Sequence, residues 1–190
     1  MGKATSKLSN EDASYLEGST HFNRKELQQW YKGFMSECPT GGISRTQFSD
    51  MFKQFFPFGD SNAYADHAFN MFDADKNGVV DFREFMRAIS ITSKGSLDEK
   101  TAWAFKLYDL DGDGFITHEE LLRVVTAIYK CVGSTAKHAS DEDTPEKRVE
   151  KLLGRLDKSE CGRVSLNDFV AGSQTDATAV QALAMFNTLV

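Results

Sequence analysis

Cysteine is scarce in this chain. Cys38, Cys131 and Cys161 make an odd three, widely spaced and without a CxxC. That pattern excludes a disulfide framework or a zinc ribbon and fits a reducing compartment. Proline is also sparse, at 3 in 190 residues, which leaves helices unbroken. Basic charge is short: 22 Lys+Arg face 28 Asp+Glu, for a formal charge of −6. A chain without a basic surplus has little to hold nucleic-acid phosphates, so no nucleic-acid partner is expected. No run of about 18 apolar residues is available to span a membrane, and the first residues lack the apolar core of a secretory signal. HExxH, Walker A and G-x-S-x-G patterns are all missing, so nothing supports an enzyme. What the chain has in quantity is Phe, at 15 copies, and carboxylates.

The carboxylates fall in a repeat. DADKNGVVDFRE, Asp73 to Glu84, matches DLDGDGFITHEE, Asp109 to Glu120. Both carry oxygen side chains at positions 1, 3 and 5, Gly at 6, a β-branched residue at 8 and Glu at 12. Two degraded copies flank them, SECPTGGISRTQ from Ser36 and DKSECGRVSLND from Asp157. Apolar residues recur at helical spacing around the loops, as in Leu27, Trp30, Tyr31 and Phe34 before the first. Asn23 with Glu26 reads as a capping box, and Thr144-Pro145 as a helix start. The expected fold is all-α: four EF-hand helix-loop-helix motifs in two pairs. A short antiparallel ribbon should join each pair, with Ile43 opposite Val80 and Ile116 opposite Val164. The expected boundaries are an N-terminal arm and first helix at 1–22, one pair at 23–91, a linker at 92–96, the second pair at 97–175, and a helical tail at 176–190. Ser134–Asp143 reads as a surface linker inside the second pair.

Ca²⁺ takes roughly six to eight oxygens, and Glu at position 12 can offer two at once. Loop two presents Asp73, Asp75, Asn77, the Val79 carbonyl and Glu84, with Asp81 acting through water. Loop three presents Asp109, Asp111, Asp113, the Phe115 carbonyl and Glu120, with Thr117 at the water position. Gly78 and Gly114 sit where the loop turns sharply. Loop one has Ser36, Cys38, Thr40 and Gln47 at the ligand positions, with Pro39 stiffening the turn, and is expected to be dead. Loop four keeps Asp157, Ser159 and Asp168, but places Cys161, a soft thiol, at position 5. Asp168 is one methylene shorter than Glu. Two strong Ca²⁺ sites are therefore expected, with loop four a weak third site or one for Mg²⁺.

Several helices carry more apolar surface than one core needs. Trp103, Leu107 and Leu110 form one stripe and Phe105 and Tyr108 another, while Phe48, Met51, Phe52, Phe55 and Phe56 crowd one short segment. Surplus apolar surface marks a partner site, and an amphipathic helix in a groove is its usual client. The groove is expected to include Trp30, Phe34, Phe48, Phe52, Phe55, Phe85, Trp103 and Tyr108. Ala179, Leu183, Phe186 and Val190, spaced as a helical stripe in the tail, could cover it. A passive Ca²⁺ buffer is the alternative, but it has no use for such a surface. At the other end, Met1-Gly2-Lys3-Ala4-Thr5-Ser6 matches the N-myristoylation pattern, with Gly2 as the acceptor. One such chain gives marginal, reversible membrane binding.

Several segments together resemble the neuronal calcium sensor family, closest to its frequenin-type branch. They are the MGKATSKLS start, KELQQWYKGF at Lys25–Phe34, the Cys38-Pro39-Thr40-Gly41 loop, KQFFPFGD at Lys53–Asp60, FDADKNG at Phe72–Gly78, LYDLDGDG at Leu107–Gly114 and DEDTPEKRV at Asp141–Val149. The resemblance implies a myristoylated four-EF-hand regulator with an inactive first loop, cytoplasmic and peripheral on membranes. It also implies targets such as a phosphatidylinositol 4-kinase or receptors and receptor kinases. Loop four departs from the frequenin pattern, in which it is intact.

Overall fold

The computed structural model describes residues 7–133, 144–157 and 162–175. The expectations for Gly2, for 134–143, for Ser159 and Cys161 and for the tail at 176–190 lie outside the described residues. Helices dominate the described residues, with two small two-stranded antiparallel sheets, as expected for paired EF-hands.

Helix α1 (Asn10–Ser19) starts at Ser9, whose hydroxyl accepts from the Asp12 N–H. Helix α2 (Arg24–Glu37) begins with the expected Asn23–Glu26 capping box. Strand β1 (Gly42–Ser44) leads into α3 (Arg45–Phe55), and α4 (Asn62–Phe72) leads to strand β2 (Val79–Asp81) and α5 (Phe82–Lys94). The second half repeats the plan with α6 (Leu97–Tyr108), β3 (Phe115–Thr117), α7 (His118–Val132), α8 (Pro145–Leu156), β4 (Arg163–Ser165) and α9 (Leu166–Thr175). Each ribbon has the register read from position 8: Ile43 opposes Val80 and Ile116 opposes Val164. All four residues are buried, so each ribbon pins its two loops back to back.

The linker is shorter than the sequence suggested. Thr92, Ser93 and Lys94 belong to α5, leaving Gly95 and Ser96 between α5 and α6. The Thr92 hydroxyl donates to the Ala88 carbonyl and the Ser93 hydroxyl to that of Ile89. Such back-bonding lets hydroxyl residues end a helix without leaving a polar group unpaired.

The first lobe is cored by stacked and edge-on rings. Phe48 lies 5.5 Å from Phe69 and 5.3 Å from Phe72, and Phe34 lies 5.4 Å from Phe82. In the second lobe Phe105 meets Phe169 at 5.7 Å. The lobes touch where Phe72 meets Trp103 at 5.9 Å, and where α4 packs along α7. Helix α1 docks on α5: Arg83 pairs with Asp12 and with Glu11, and its guanidinium lies over the Tyr15 ring.

Candidate metal centre

Two groups of carboxylates close on themselves, Asp73, Asp75 and Glu84 in loop two and Asp109, Asp111 and Glu120 in loop three. In each, one oxygen per residue lies within 4.8 Å of the others. Oxygens 2.3–2.6 Å from one Ca²⁺ are at most about 5 Å apart, so both groups fit a single hard cation.

The geometry follows from the glycines and from side chains that bond their own backbone. Gly41, Gly78, Gly114 and Gly162, the position-6 residue of all four loops, have φ between 79° and 89°, a left-handed turn that a Cβ disfavours. Asp73 accepts from the Asn77 and Gly78 N–H groups at 3.0 and 2.9 Å. Asp75 accepts from Asn77, and Asn77 accepts from Val79, the first residue of β2. Loop three repeats the chain of turns: Asp109 accepts from Gly112 and Gly114, Asp111 from Asp113, and Asp113 from Phe115. These bonds aim the loop side chains inward.

The glutamates at position 12 tie each loop shut. One oxygen of Glu84 accepts from the Ala74 and Asp75 N–H groups, at 2.8 and 3.2 Å, and the other from Asp81 at 3.1 Å. Glu120 accepts from Leu110 and Asp111 on one side, and from the Thr117 N–H and hydroxyl on the other. Burial alone would raise the Glu120 carboxyl, but these donors outweigh it and hold the group below the ordinary glutamate range. Asp109 goes the other way. Burial raises it, the Gly114 and Gly112 N–H groups oppose, and the nearby charges of Glu120 and Asp113 add to the rise. A bound cation would relieve that crowding.

Sequence reading gave Asp81 and Thr117 a place only as water-mediated ligands. Both are N-caps: Asp81 with Glu84 closes the capping box of α5, and Thr117 with Glu120 that of α7. The same position-12 residue therefore fastens the loop to the first turn of the outgoing helix. The signal, [D/T]-x-x-E ahead of an apolar run, was present in the sequence.

Loop one keeps the box, Ser44 with Gln47, and lacks the cage. Helices α4, α6 and α8 stop just before position 1, with Asp73, Asp109 and Asp157 as C-caps. Helix α2 instead runs through positions 1 and 2, Ser36 and Glu37, and is capped at Cys38. In loop four Asp157 accepts from Gly162 at 2.7 Å, as its counterparts do, and Asp168 accepts from the Ser165 hydroxyl.

Of the residues expected to form a groove, three come together. Trp30, Phe34 and Phe85 line an apolar cavity of about 710 Å³ in the first lobe, with Ile43, Met51 and Cys38. Phe48, Phe52, Trp103 and Tyr108 do not line it. They are 4%, 2%, 6% and 3% exposed and belong to the core: α6 buries both of its apolar faces, whereas α3 buries the face of Phe48 and Phe52 and leaves Met51 and Phe55 exposed. Phe55 is exposed, outside the cavity lining.

The comparisons with known proteins agree with this geometry. A family model described as an EF-hand domain pair matches residues 98–174, and one described as an EF hand domain matches 64–92. Neither includes loop one. The chain is 46% identical over 185 residues to Neuronal calcium sensor 1 of Aplysia californica and 44% identical to that of Lymnaea stagnalis, covering 97% of both chains in each case. It is 42% identical over 167 residues to S-modulin of Aquarana catesbeiana, covering 87% of this chain and 83% of that one. With its repeats, its two carboxylate cages and this likeness over nearly the whole length, the chain belongs to the neuronal calcium sensor family of EF-hand Ca²⁺ sensors.

Proposed function

We propose that loops two and three are two Ca²⁺ sites in the sensor range, roughly 10⁻⁷ to 10⁻⁵ M, and that their occupancy sets the state of the apolar cavity in the first lobe. The observation that carries this is the position of Glu84. It is the last ligand of loop two, the residue that closes the α5 capping box, and the neighbour of Phe85 in the cavity wall. Because Glu84 both belongs to the carboxylate group and caps α5, an ion held in loop two acts directly on the first turn of α5, and through it on Phe85 beside Trp30 and Phe34. Helix reorientation of this kind is how sensor EF-hands open an apolar groove. The occupant is the apolar face of an amphipathic helix from a target protein. A phosphatidylinositol 4-kinase and receptors or receptor kinases are the targets that family membership suggests. Loop four, with Asp157, Ser159 and Asp168, is a weak third site or a Mg²⁺ site.

The role is regulatory, not catalytic, and it is exercised at a membrane surface. No helix among the described residues is long and apolar enough to cross a bilayer. Attachment would come through a myristoyl group on Gly2, which the frequenin-type resemblance suggests is exposed with or without Ca²⁺. A buffer would not need the cavity. ANS fluorescence is the test: it should rise with Ca²⁺ over chelator, and the rise should shrink in Glu84→Gln. Equal fluorescence in both conditions would favour the buffer. Flotation of the acylated protein on liposomes, with Gly2→Ala as control, tests the lipid.

A further inference from the structure

The elbow between α3 and α4 is where the two lobes approach backbone to backbone. Gly59 lies against the last turn of α7: a Cβ there would sit 2.0 Å from the Cys131 carbonyl oxygen and 2.6 Å from that of Lys130. The next residue, Asp60, donates its N–H to the Lys130 carbonyl at 2.8 Å. From the other side Gly133 ends α7 at φ +59°, and a Cβ on it would come within 2.7 Å of the Phe58 carbonyl oxygen. Every atom that a new side chain would meet at these distances is backbone, so no rotamer change could make room. The two glycines interlock the elbow with the end of α7.

What lies at the far ends of the joined helices gives the lock its role. Helix α4 runs from the elbow to Phe72, and the next residue, Asp73, is the first ligand of loop two. Helix α7 runs from the lock back to its first turn, where Glu120 is the last ligand of loop three. Their 11 and 15 residues make rods about 16 and 22 Å long. Close backbone contact at the elbow gives a tilt of α7 at loop three a rigid route to α4.

We propose that Gly59 and Gly133 are positioning residues that couple loop two to loop three, so that filling one loop raises the affinity of the other. The inference rests on the reading of both loops as Ca²⁺ sites. Linkage makes the effect reciprocal.

The test is a mutant cycle on the full chain: wild type, Glu120→Gln, Gly59→Ala and the double variant, titrated in Ca²⁺ buffers. The amides of Gly78 and Gly114, which donate to Asp73 and Asp109, report the two loops separately by NMR. Disabling loop three with Glu120→Gln should weaken loop two by roughly 5- to 150-fold, the usual span of allosteric coupling. In the Gly59→Ala background the same change should leave loop two unaltered. An equal drop in both backgrounds would overturn the lock. If Gly59→Ala does not fold, Gly133→Ala serves the same comparison. Should Glu120→Gln alone leave loop two at wild-type affinity, no coupling exists and the proposal fails without any lock variant. If neither amide of the wild type responds to Ca²⁺, the site assignment itself falls, and the lock with it.

Discussion

Consider loop one rebuilt with Ser36→Asp, Cys38→Asp, Thr40→Asp and Gln47→Glu, which gives it the carboxylates of loop three at positions 1, 3, 5 and 12. The structure says that this variant gains no Ca²⁺ site. Helix α2 continues through positions 1 and 2 and is capped at Cys38, whereas the other incoming helices stop before position 1. At 1.5 Å per residue, an aspartate at 36 sits about 3 Å back along the helix from where its counterparts cap theirs. Metal–oxygen distances tolerate only about 0.2 Å. Position 4 is the second obstacle. Lys76 and Gly112 hold it at φ 58° and 75°, and Pro39 is locked near −65°, roughly 120–140° away. Calorimetry should therefore find the same stoichiometry in the four-fold variant as in wild type. Adding Pro39→Gly frees position 4 and lets the chain leave α2 earlier, and a further, weaker heat should appear only then. An extra Ca²⁺ bound while Pro39 is still in place would refute the argument.

Three other perturbations have expected outcomes. Burial, with some help from Arg123 and against Asp66, lowers the His67 pKa below its ordinary 6.5. Its contribution is thus fully present above that pH and is lost as pH falls through the folded value. Melting temperature should drop less between pH 7 and pH 5 in His67→Gln than in wild type, and an equal drop would sink the assignment. Burial, with the Asp60 charge beside it, pushes the Cys131 thiol up to about 12, and burial with Glu37 raises Cys38. Both should label slowly at pH 8 in the native protein and quickly in urea; fast native labelling of Cys131 would contradict its burial. Phe69, fully buried with Phe48 against it and Arg45 over its ring, should cost about 3–5 kcal/mol as Phe69→Ala, and urea denaturation showing under about 2 would mean that the lobe repacks.

The loops were readable because their constraints are local. A glycine at position 6, oxygens at 1, 3 and 5 and a β-branched residue at 8 specify turn, cage and ribbon within twelve residues, and both ribbon registers follow. The same local reading saw Asp81 and Thr117 only as partners of an ion, and so overlooked that they cap helices. Thr92 and Ser93 looked like linker because their polarity shows in the sequence, while the carbonyls that accept their hydroxyls do not. Trp103 and Tyr108 were assigned to a groove because apolar residues on two faces of α6 say that both faces are covered, not by what. Nothing in the local sequence marks Gly59; its constraint comes from the backbone of Lys130 and Cys131, some seventy residues on.

The lack of carboxylates at the ligand positions of loop one has a consequence for the shape of the response to calcium. Ile43 and Val80 join loop one to loop two as firmly as Ile116 and Val164 join the other two, but only one side of that first ribbon carries carboxylates at its ligand positions. Two loops that both fill can help each other across a shared ribbon and turn a gradual titration into a steep one. In the first lobe the partner across the ribbon offers no carboxylate at those positions, so it would act as a splint that keeps loop two in shape and would contribute no steepness. On its own this lobe would answer a rising calcium signal in graded fashion, and any threshold has to be imported from the other lobe.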